Sequence, residues 1–153
     1  MANQIVPLNG HVRVRAWEKQ PDGTEKEVYD KTIKNLVVDV GKETILKHIG
    51  NITGGGYANQ IGAGDSTTAA SSSQTDLQAP TNKYWKNIDP SDRIYLSSTL
   101  YVSTDFGYTE ANFTWNELGL RDNNNVLIAR QIDPTPLVKS SAKRAIVEWQ
   151  LSL

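Results

Sequence analysis

The alternation of apolar and polar residues predicts that this chain forms mainly β-strands. Residues 12–16 alternate apolar and charged side chains with a period of two, which is typical of a half-buried strand. The turn sequence Pro-Asp-Gly follows at residues 21–23, and residues 28–33 predict the returning strand of a hairpin. Residues 35–38 continue in extended form.

One short helix is predicted over residues 40–49. Asp39 is a suitable N-cap residue, and Gly50 offers a C-terminal stop. Four apolar residues recur at the spacing of a single helix face: Ile45, Leu46, Ile49 and Ile52. We therefore expect a helix with one apolar face.

The second half of the chain shows a more regular strand pattern. Residues 94–102 alternate throughout and predict one long strand with a single apolar face. Residues 113–118 and 126–130 predict two shorter strands, and the sequence Pro-Thr-Pro at residues 134–136 is expected to break the second one. The closing strand covers residues 143–151, and its apolar face holds Ala145, Val147, Trp149 and Leu151.

About five to seven short strands and one short helix predict a mainly β protein, an antiparallel β-sandwich of jelly-roll-like form. A parallel α/β sheet would need long helices between the strands, and the pattern has none. Trp115 and Trp149 lie on apolar strand faces and are expected in the core. We expect a single domain over residues 1–153.

Residues 66–81 form a tract rich in serine and threonine between the two patterned halves. Such a tract cannot bury enough apolar surface to order itself, so we expect an internal surface loop that lies on its own domain or against a neighbouring chain. Residues 1–10 mix polar and apolar side chains, with no turn signal before Asn9 and Gly10. We expect them to be an attachment arm that adds a strand to the sheet edge of a partner.

Composition narrows the classes of function. The 153 residues carry a formal net charge of −1, so no overall basic field exists to hold nucleic acid, and no nucleic-acid partner is expected. Cysteine is absent, which excludes disulfides and thiolate metal sites. No run approaches the ~20 apolar residues of a membrane span, and the polar residues 1–4 do not resemble a signal peptide. We therefore expect synthesis in the cytoplasm and no membrane partner.

The sequence holds no constellation that predicts catalysis. His11 and His48 supply the only imidazole groups, and neither lies in a Gly-x-Ser-x-Gly or His-x-x-x-His pattern. Residues 122–125, Asp-Asn-Asn-Asn, lack the glycine and glutamate of a calcium loop and predict a turn. Gly62 and Gly64 lack the rest of a phosphate loop and predict a tight backbone bend. We expect no catalytic residue, cofactor or metal site; a small hydrolase built on two converging carboxylates is the lowest-ranked alternative.

Tyr84, Trp85 and Tyr108 are the candidate contact residues. Tyr84 and Trp85 lie in a polar stretch, residues 82–86, that predicts an exposed loop. Exposed aromatic rings can stack on a sugar or anchor a protein contact. The alternative, which ranks slightly ahead, is that both rings cap one end of the sandwich.

Four sequence blocks cover most of the chain from residue 34 onward. They are Lys34-Asn35-Leu36-Val37-Val38-Asp39-Val40-Gly41-Lys42; Ile61-Gly62-Ala63-Gly64 through Thr75-Asp76-Leu77; Thr114-Trp115-Asn116-Glu117-Leu118-Gly119-Leu120; and residues 139–151, which include Ile146-Val147-Glu148-Trp149. In this order the blocks resemble those of small structural proteins of tailed-bacteriophage virions.

The resemblance implies a β-rich, non-enzymatic protein without catalytic residues or cofactors. It also implies a place in the virion after assembly in the host bacterial cytoplasm, with the major capsid protein or other virion proteins as partners. The function expected first is that of a capsid decoration or cement protein that binds and stabilises the head shell. We expect a homo-oligomer, for which a trimer is assumed. A tail, baseplate or fibre adaptor, or a receptor- or carbohydrate-binding module, is the alternative.

Overall fold

Two five-stranded antiparallel sheets pack face to face, so the prediction of an antiparallel β-sandwich with one helix is confirmed. The computed structural model describes residues 7–152; residues 1–6 of the predicted arm lie outside the described part of the chain. In chain order the elements are β1 (Asn9–Lys19), β2 (Glu25–Lys34), β3 (Leu36–Val37), α1 (Asp39–Ile49), β4 (Ala58–Gly64), β5 (Lys83–Asn87), a 3-10 turn (Pro90–Asp92), β6 (Arg93–Leu96), β7 (Thr99–Phe106), β8 (Thr114–Asp122), β9 (Leu127–Val138) and β10 (Lys143–Ser152).

Each sheet combines strands from both halves of the chain. The first sheet has the order β2-β1-β10-β7-β6, and the second has the order β3-β9-β8-β4-β5. The hairpin β1–β2 begins the first sheet, and the closing strand β10 lies between β1 and β7. The narrower jelly-roll-like description stays a prediction.

The core lies between the inner faces of the two sheets. Alternate residues of β10 are buried as predicted, among them the fully buried Trp149. Trp115 of the second sheet is buried as well, and its ring meets Phe106 of the first sheet edge-on with the centroids 5.0 Å apart. The indole N–H of Trp115 donates to the carbonyl of Ala111 at 2.9 Å. Both tryptophans are therefore core residues, as their positions on apolar strand faces predicted.

The long strand predicted over residues 94–102 is wrong, because a hairpin occupies this stretch. Ser97 and Ser98 form a two-residue turn between β6 and β7, with φ of 49° and 62°. Two positive φ values in a hairpin turn are typical of type I′, for which the usual sequence is Asn-Gly. Serine at both positions gives no such turn signal, so the alternation of apolar and polar residues over 94–102 predicted one continuous strand.

The break predicted at residues 134–136 is also wrong, because β9 continues through both prolines. The register with β8 passes from Glu117 opposite Ile132 to Trp115 opposite Leu137, so residues 133–136 leave the regular ladder. A bulge is one of the few places where a sheet accepts proline, since no ladder hydrogen bond is required there.

The helix α1 is confirmed, but its packing differs from the expectation. Val38, not Asp39, is the N-cap residue, and no side chain caps the helix. Its buried residues are the small Gly41 and Thr44, and a Cβ at Gly41 would overlap the backbone of Ile128. Of the predicted apolar face only Ile45 packs against the core; the other members are exposed, with Leu46 at 67%, Ile49 at 76% and Ile52 at 60%. Within the described residues, no helix has the length and apolar character needed to cross a membrane.

Candidate functional site

Trp85 lies in a shallow groove of glycines on the outer face of the second sheet. Gly62 of β4 and Gly119 of β8 are paired, and a Cβ at either would come within 2.5 or 2.8 Å of the Trp85 ring. The guanidinium of Arg121 stacks over the same ring, 4.3 Å from its centroid. The bend predicted at Gly62 and Gly64 is therefore wrong: both lie within a strand, and their missing side chains let larger groups approach the backbone.

A buried ion pair holds the serine- and threonine-rich tract on the same face. Glu117 and Arg130 are both 0% exposed, and Nε of Arg130 lies 2.7 Å from a carboxylate oxygen of Glu117. The Glu117 carboxylate also accepts the backbone N–H groups of Gln78 and Ala79 at 2.8 and 2.7 Å.

Arg130 completes the attachment from the other side of the tract. Its two terminal nitrogens donate to the Gln74 side chain at 2.9 Å and to the Thr68 carbonyl at 2.8 Å. Within the tract, Leu77 and Ala79 are buried. Residues 65–82 thus lie on their own domain, and these contacts require no neighbouring chain.

The stretch predicted as a loop around Tyr84 and Trp85 is strand β5, and that prediction is wrong. Neighbouring residues of a strand point to opposite faces. While Trp85 lies on the outer face, Tyr84 meets the buried ring of Phe106 edge-on at 6.1 Å and its hydroxyl lies 3.4 Å from Glu110. The two rings therefore do not form one sugar-stacking surface.

Tyr108 belongs to a charged cluster beside the first sheet. Its hydroxyl donates to Glu25 at 2.5 Å, and this bond raises the pKa of Tyr108. Arg144 binds the same carboxylate at 2.9 Å and stacks on Trp17, with its guanidinium 4.6 Å from the ring centroid. The Tyr108 hydroxyl is thus held by a different carboxylate from the one near Tyr84.

Several of the described carboxylates hold a turn or pair with a cation. Asp122 is fully buried and accepts from the Thr44 hydroxyl at 2.6 Å and from the N–H groups of Asn124 and Val126 at 2.8 Å, which confirms the predicted turn. Hydrogen-bond donors lower the pKa of five carboxyl groups: Asp22, Glu25, Asp30, Asp89 and Glu110. A general acid needs the opposite shift. Among residues 7–152, no group of three or more His, Asp or Glu side chains is placed to hold a metal ion.

A cleft of about 900 Å³ opens beside β6, and its lining includes charged side chains of both signs. Its two cations are already engaged with the protein backbone. Lys86 donates to the Asp105 carbonyl at 2.6 Å, and Arg93 donates to the carbonyls of Ala58 and Ile88. Both cations of this cleft are therefore already bonded within the protein.

An apolar groove of about 420 Å³ lies between α1 and one end of the first sheet. Its lining includes Leu8, Ile45, Ile49, Tyr57, Tyr95, Leu100 and Leu151. Three of these, Ile49, Tyr57 and Tyr95, remain exposed, and the exposed Leu46 and Ile52 lie three residues before and three residues after Ile49 in the chain. We call the set Leu46, Ile49, Ile52, Tyr57 and Tyr95 the apolar rim. Clustered large apolar side chains at a surface are typical of an interaction site.

The sequence pattern identified Leu46, Ile49 and Ile52 of the apolar rim as part of a helix face, without saying where that face points, and it missed Tyr57 and Tyr95. The signal that sets the orientation is the pair Gly41 and Thr44, small residues three positions apart on the other side of α1. Small side chains allow a helix to approach a sheet closely, and here they leave Leu46 and Ile49 directed outward.

No family model, curated protein or solved structure matches this chain. Among the described residues, the apolar rim is the feature that points most directly to a function, because its large apolar side chains are exposed.

Proposed function

We propose that the protein is a non-enzymatic structural component of a tailed-phage particle, in first place a decoration or cement protein of the capsid shell. The observation that carries this proposal is the outward-facing apolar side of α1. The side chains of Leu46 and Ile49 on α1, and of Ile52 just after it, are exposed and available to a partner.

The partner proposed for this helix face is another virion protein with an apolar groove. Burying a side chain of this kind gains roughly 1.5–3 kcal/mol relative to exposure, so three such side chains supply a useful part of an interface. An amphipathic helix that lays its apolar face in a groove is a common recognition mode. The ion pair between Lys47 and Glu43, 2.5 Å apart, would lie at the polar border of that contact.

The order of the four sequence blocks and the structural use of the buried charges both support a role in assembly. Glu117, Arg130 and Asp122 are engaged in holding the tract and the turn, which is what a structural domain needs. A tail, baseplate or fibre adaptor is the alternative within the same class. Copy number separates the two, because a shell protein is needed many times per particle and an adaptor only a few times.

Quantitative mass spectrometry of purified particles, scaled to the major capsid protein, tests the proposal. About one copy per capsid subunit, or one per few subunits, supports the shell role. A few copies per particle would overturn the shell role in favour of the tail or baseplate. Absence from washed particles would overturn the virion proposal itself.

A further inference from the structure

Strand β6 is an unprotected sheet edge. Within the described residues, the edge strands are β2 and β6 of the first sheet and β3 and β5 of the second. Strand β2 is rich in lysine and glutamate, β5 contains two lysines, and β3 has two residues, all of which discourage further strand pairing. By contrast, β6 exposes Ile94, Tyr95 and Leu96 at 58, 73 and 61%. An apolar edge of this kind is suited to receiving another strand.

The hairpin geometry identifies which backbone groups of β6 are free. Because the turn at Ser97 and Ser98 has two residues, Leu96 and Thr99 form the hydrogen-bonded pair that closes it. Hydrogen-bonded and non-bonded pairs alternate along an antiparallel ladder, so Ile94 also bonds to β7. Arg93 and Tyr95 therefore direct their N–H and C=O groups away from the sheet.

We propose that β6 receives the N-terminal segment around Ile5 and Val6 of a second copy of this chain, as a sixth strand of the first sheet. Residues 2–6 contain no charged side chain, and Ile5 and Val6 are β-branched, which suits a strand beside an apolar edge. Backbone pairing supplies the affinity in this mode. Leu8, close behind these residues, already lines the same groove as Tyr95, so this end of the domain accepts N-terminal apolar side chains.

Chain length favours a second copy of the chain over the same molecule as the donor. Asn9 is fixed at the start of β1, and β6 lies three strands away in the order β1-β10-β7-β6. At a spacing of about 4.8 Å, a strand added beyond β6 is about 19 Å from β1. Ile5 is separated from Asn9 by a stretch of chain that spans at most about 14 Å. The segment of another copy has no such limit, so the exchange produces an oligomer and stands independently of the proposed place in a virion.

Cysteine cross-linking tests this directly, because the natural chain contains no cysteine. One batch of the full chain carries Ile5→Cys and a second batch carries Leu96→Cys, and the two are mixed and oxidised. We expect a disulfide-linked dimer that contains both variants on a non-reducing gel, since only an exchanged segment brings these positions together. The matched control replaces Leu96→Cys by Thr32→Cys, an exposed position on the charged edge strand β2. Equal cross-linking of both mixtures, or none, would overturn the proposal.

Sedimentation of the purified chain provides the second measurement. We expect an oligomer whose dissociation constant rises at least about tenfold in Ile5→Asp, because a carboxylate is placed against an apolar edge. Asn3→Asp adds the same charge at a polar position and should retain the oligomer. Tyr95→Pro removes an outward N–H and should weaken association more than Tyr95→Ala does. A monomeric natural chain, or an oligomer indifferent to Ile5→Asp, contradicts the exchange.

Discussion

Three glycines set how closely the outer layer approaches the second sheet. Gly62 and Gly119 leave room for the ring of Trp85, and Gly64 leaves room for the carboxylate of Glu117. None of these positions needs a positive φ, so their requirement is for space. This distinction matters for substitution, because alanine fits the backbone at each position while its methyl group does not fit the neighbours.

Gly119→Ala should destabilise the fold by about 1–3 kcal/mol, the usual cost of forcing extra volume into a packed site. The added Cβ would lie 2.8 Å from the Trp85 ring and 2.9 Å from Leu77. Denaturant unfolding measures the change. Gly107→Ala is the matched control, because its nearest neighbour would be 3.6 Å away at Glu110. Equal stability of the two variants would show that Trp85 is not seated on Gly119.

Glu117→Gln should cost about 3–5 kcal/mol, since it leaves the guanidinium of Arg130 buried without its counter-charge. The same change weakens the hold on residues 66–81, so limited proteolysis should cut this tract faster than in the natural chain. Glu27→Gln, which breaks the exposed pair with Arg15, should change stability by no more than about 1 kcal/mol. A protease-resistant tract in Glu117→Gln would contradict the anchoring role.

This ion pair shows where sequence reasoning ends at the residue scale. The tract was recognisable from composition, and so was its need for an outside surface. Glu117 and Arg130 lie thirteen positions apart on paired strands, and only the register of β8 with β9 brings them together. Register depends on the packing of the whole sheet, which a single sequence does not reveal.

At the scale of elements, the β6–β7 hairpin is closed by a turn whose residues are poorly suited to it. Ser97 and Ser98 both adopt the left-handed region, where a side chain is disfavoured. The hairpin is therefore held by its pairing with the rest of the first sheet and not by its turn. Improving the turn should raise stability without altering any contact.

The double substitution Ser97→Asn and Ser98→Gly should stabilise the protein by about 1 kcal/mol, because asparagine and glycine tolerate positive φ. Thermal and denaturant unfolding measure the gain. Ser98→Ala keeps the strained conformation and should give no gain. A double variant no more stable than the natural chain would show that the turn is not of this type in solution.

The helix α1 gives the matching prediction for the proposed function. Ile49→Asp places a charge on a side chain that is 76% exposed, so the unfolding free energy should change by no more than about 0.5 kcal/mol. The number of copies of the Ile49→Asp variant in purified particles should nevertheless fall several-fold, as measured by mass spectrometry. Thr32→Asp adds the same charge on exposed β2 and should be incorporated normally. Normal incorporation of Ile49→Asp would exclude this face from attachment.

The elements also show which patterns predict structure reliably. Strands β1 and β10 were predictable because one face of each is buried along its whole length. The position of α1 was predictable, but its orientation was not. Hydrophobic spacing shows that a helix has an apolar face, but it does not show which part of the protein that face contacts. The sequence did not predict the short strands β5 and β6. Strand β5 is rich in polar residues, and the turn that ends β6 consists of two serines, which give no turn signal.

At the scale of the whole molecule, carboxylates join segments that are distant in the sequence. The carboxylate of Glu110 pairs with Lys86 of the second sheet and accepts the backbone N–H of Gly107, which follows β7. Glu25 of β2 pairs with Arg144 of β10. Burial raises the pKa of Glu110, but the bonds from Lys86 and Gly107 outweigh it and leave the pKa below its ordinary value. The bond from Arg144 lowers the pKa of Glu25.

These lowered pKa values predict a fold that loses stability in acid. A carboxyl group with a folded pKa below its unfolded value, about 4.3 for glutamate, contributes its full stabilisation above the unfolded pKa. That contribution is lost as the pH falls through the folded pKa, because the protonated group no longer holds its cation. The unfolding free energy should therefore be level near neutral pH and fall below about pH 4.

Denaturant unfolding of Glu110→Gln across the same pH range isolates one of these groups. Glutamine cannot ionise, so the variant should be less stable than the natural chain at pH 7 and the gap should narrow as the pH drops below about 4. Glu27→Gln is the matched control, because it removes an exposed carboxylate that pairs with Arg15 and leaves the Glu110 contacts untouched. A gap that stays constant with pH would mean that Glu110 stabilises the molecule by packing and hydrogen bonding alone, without the charge that links the two sheets.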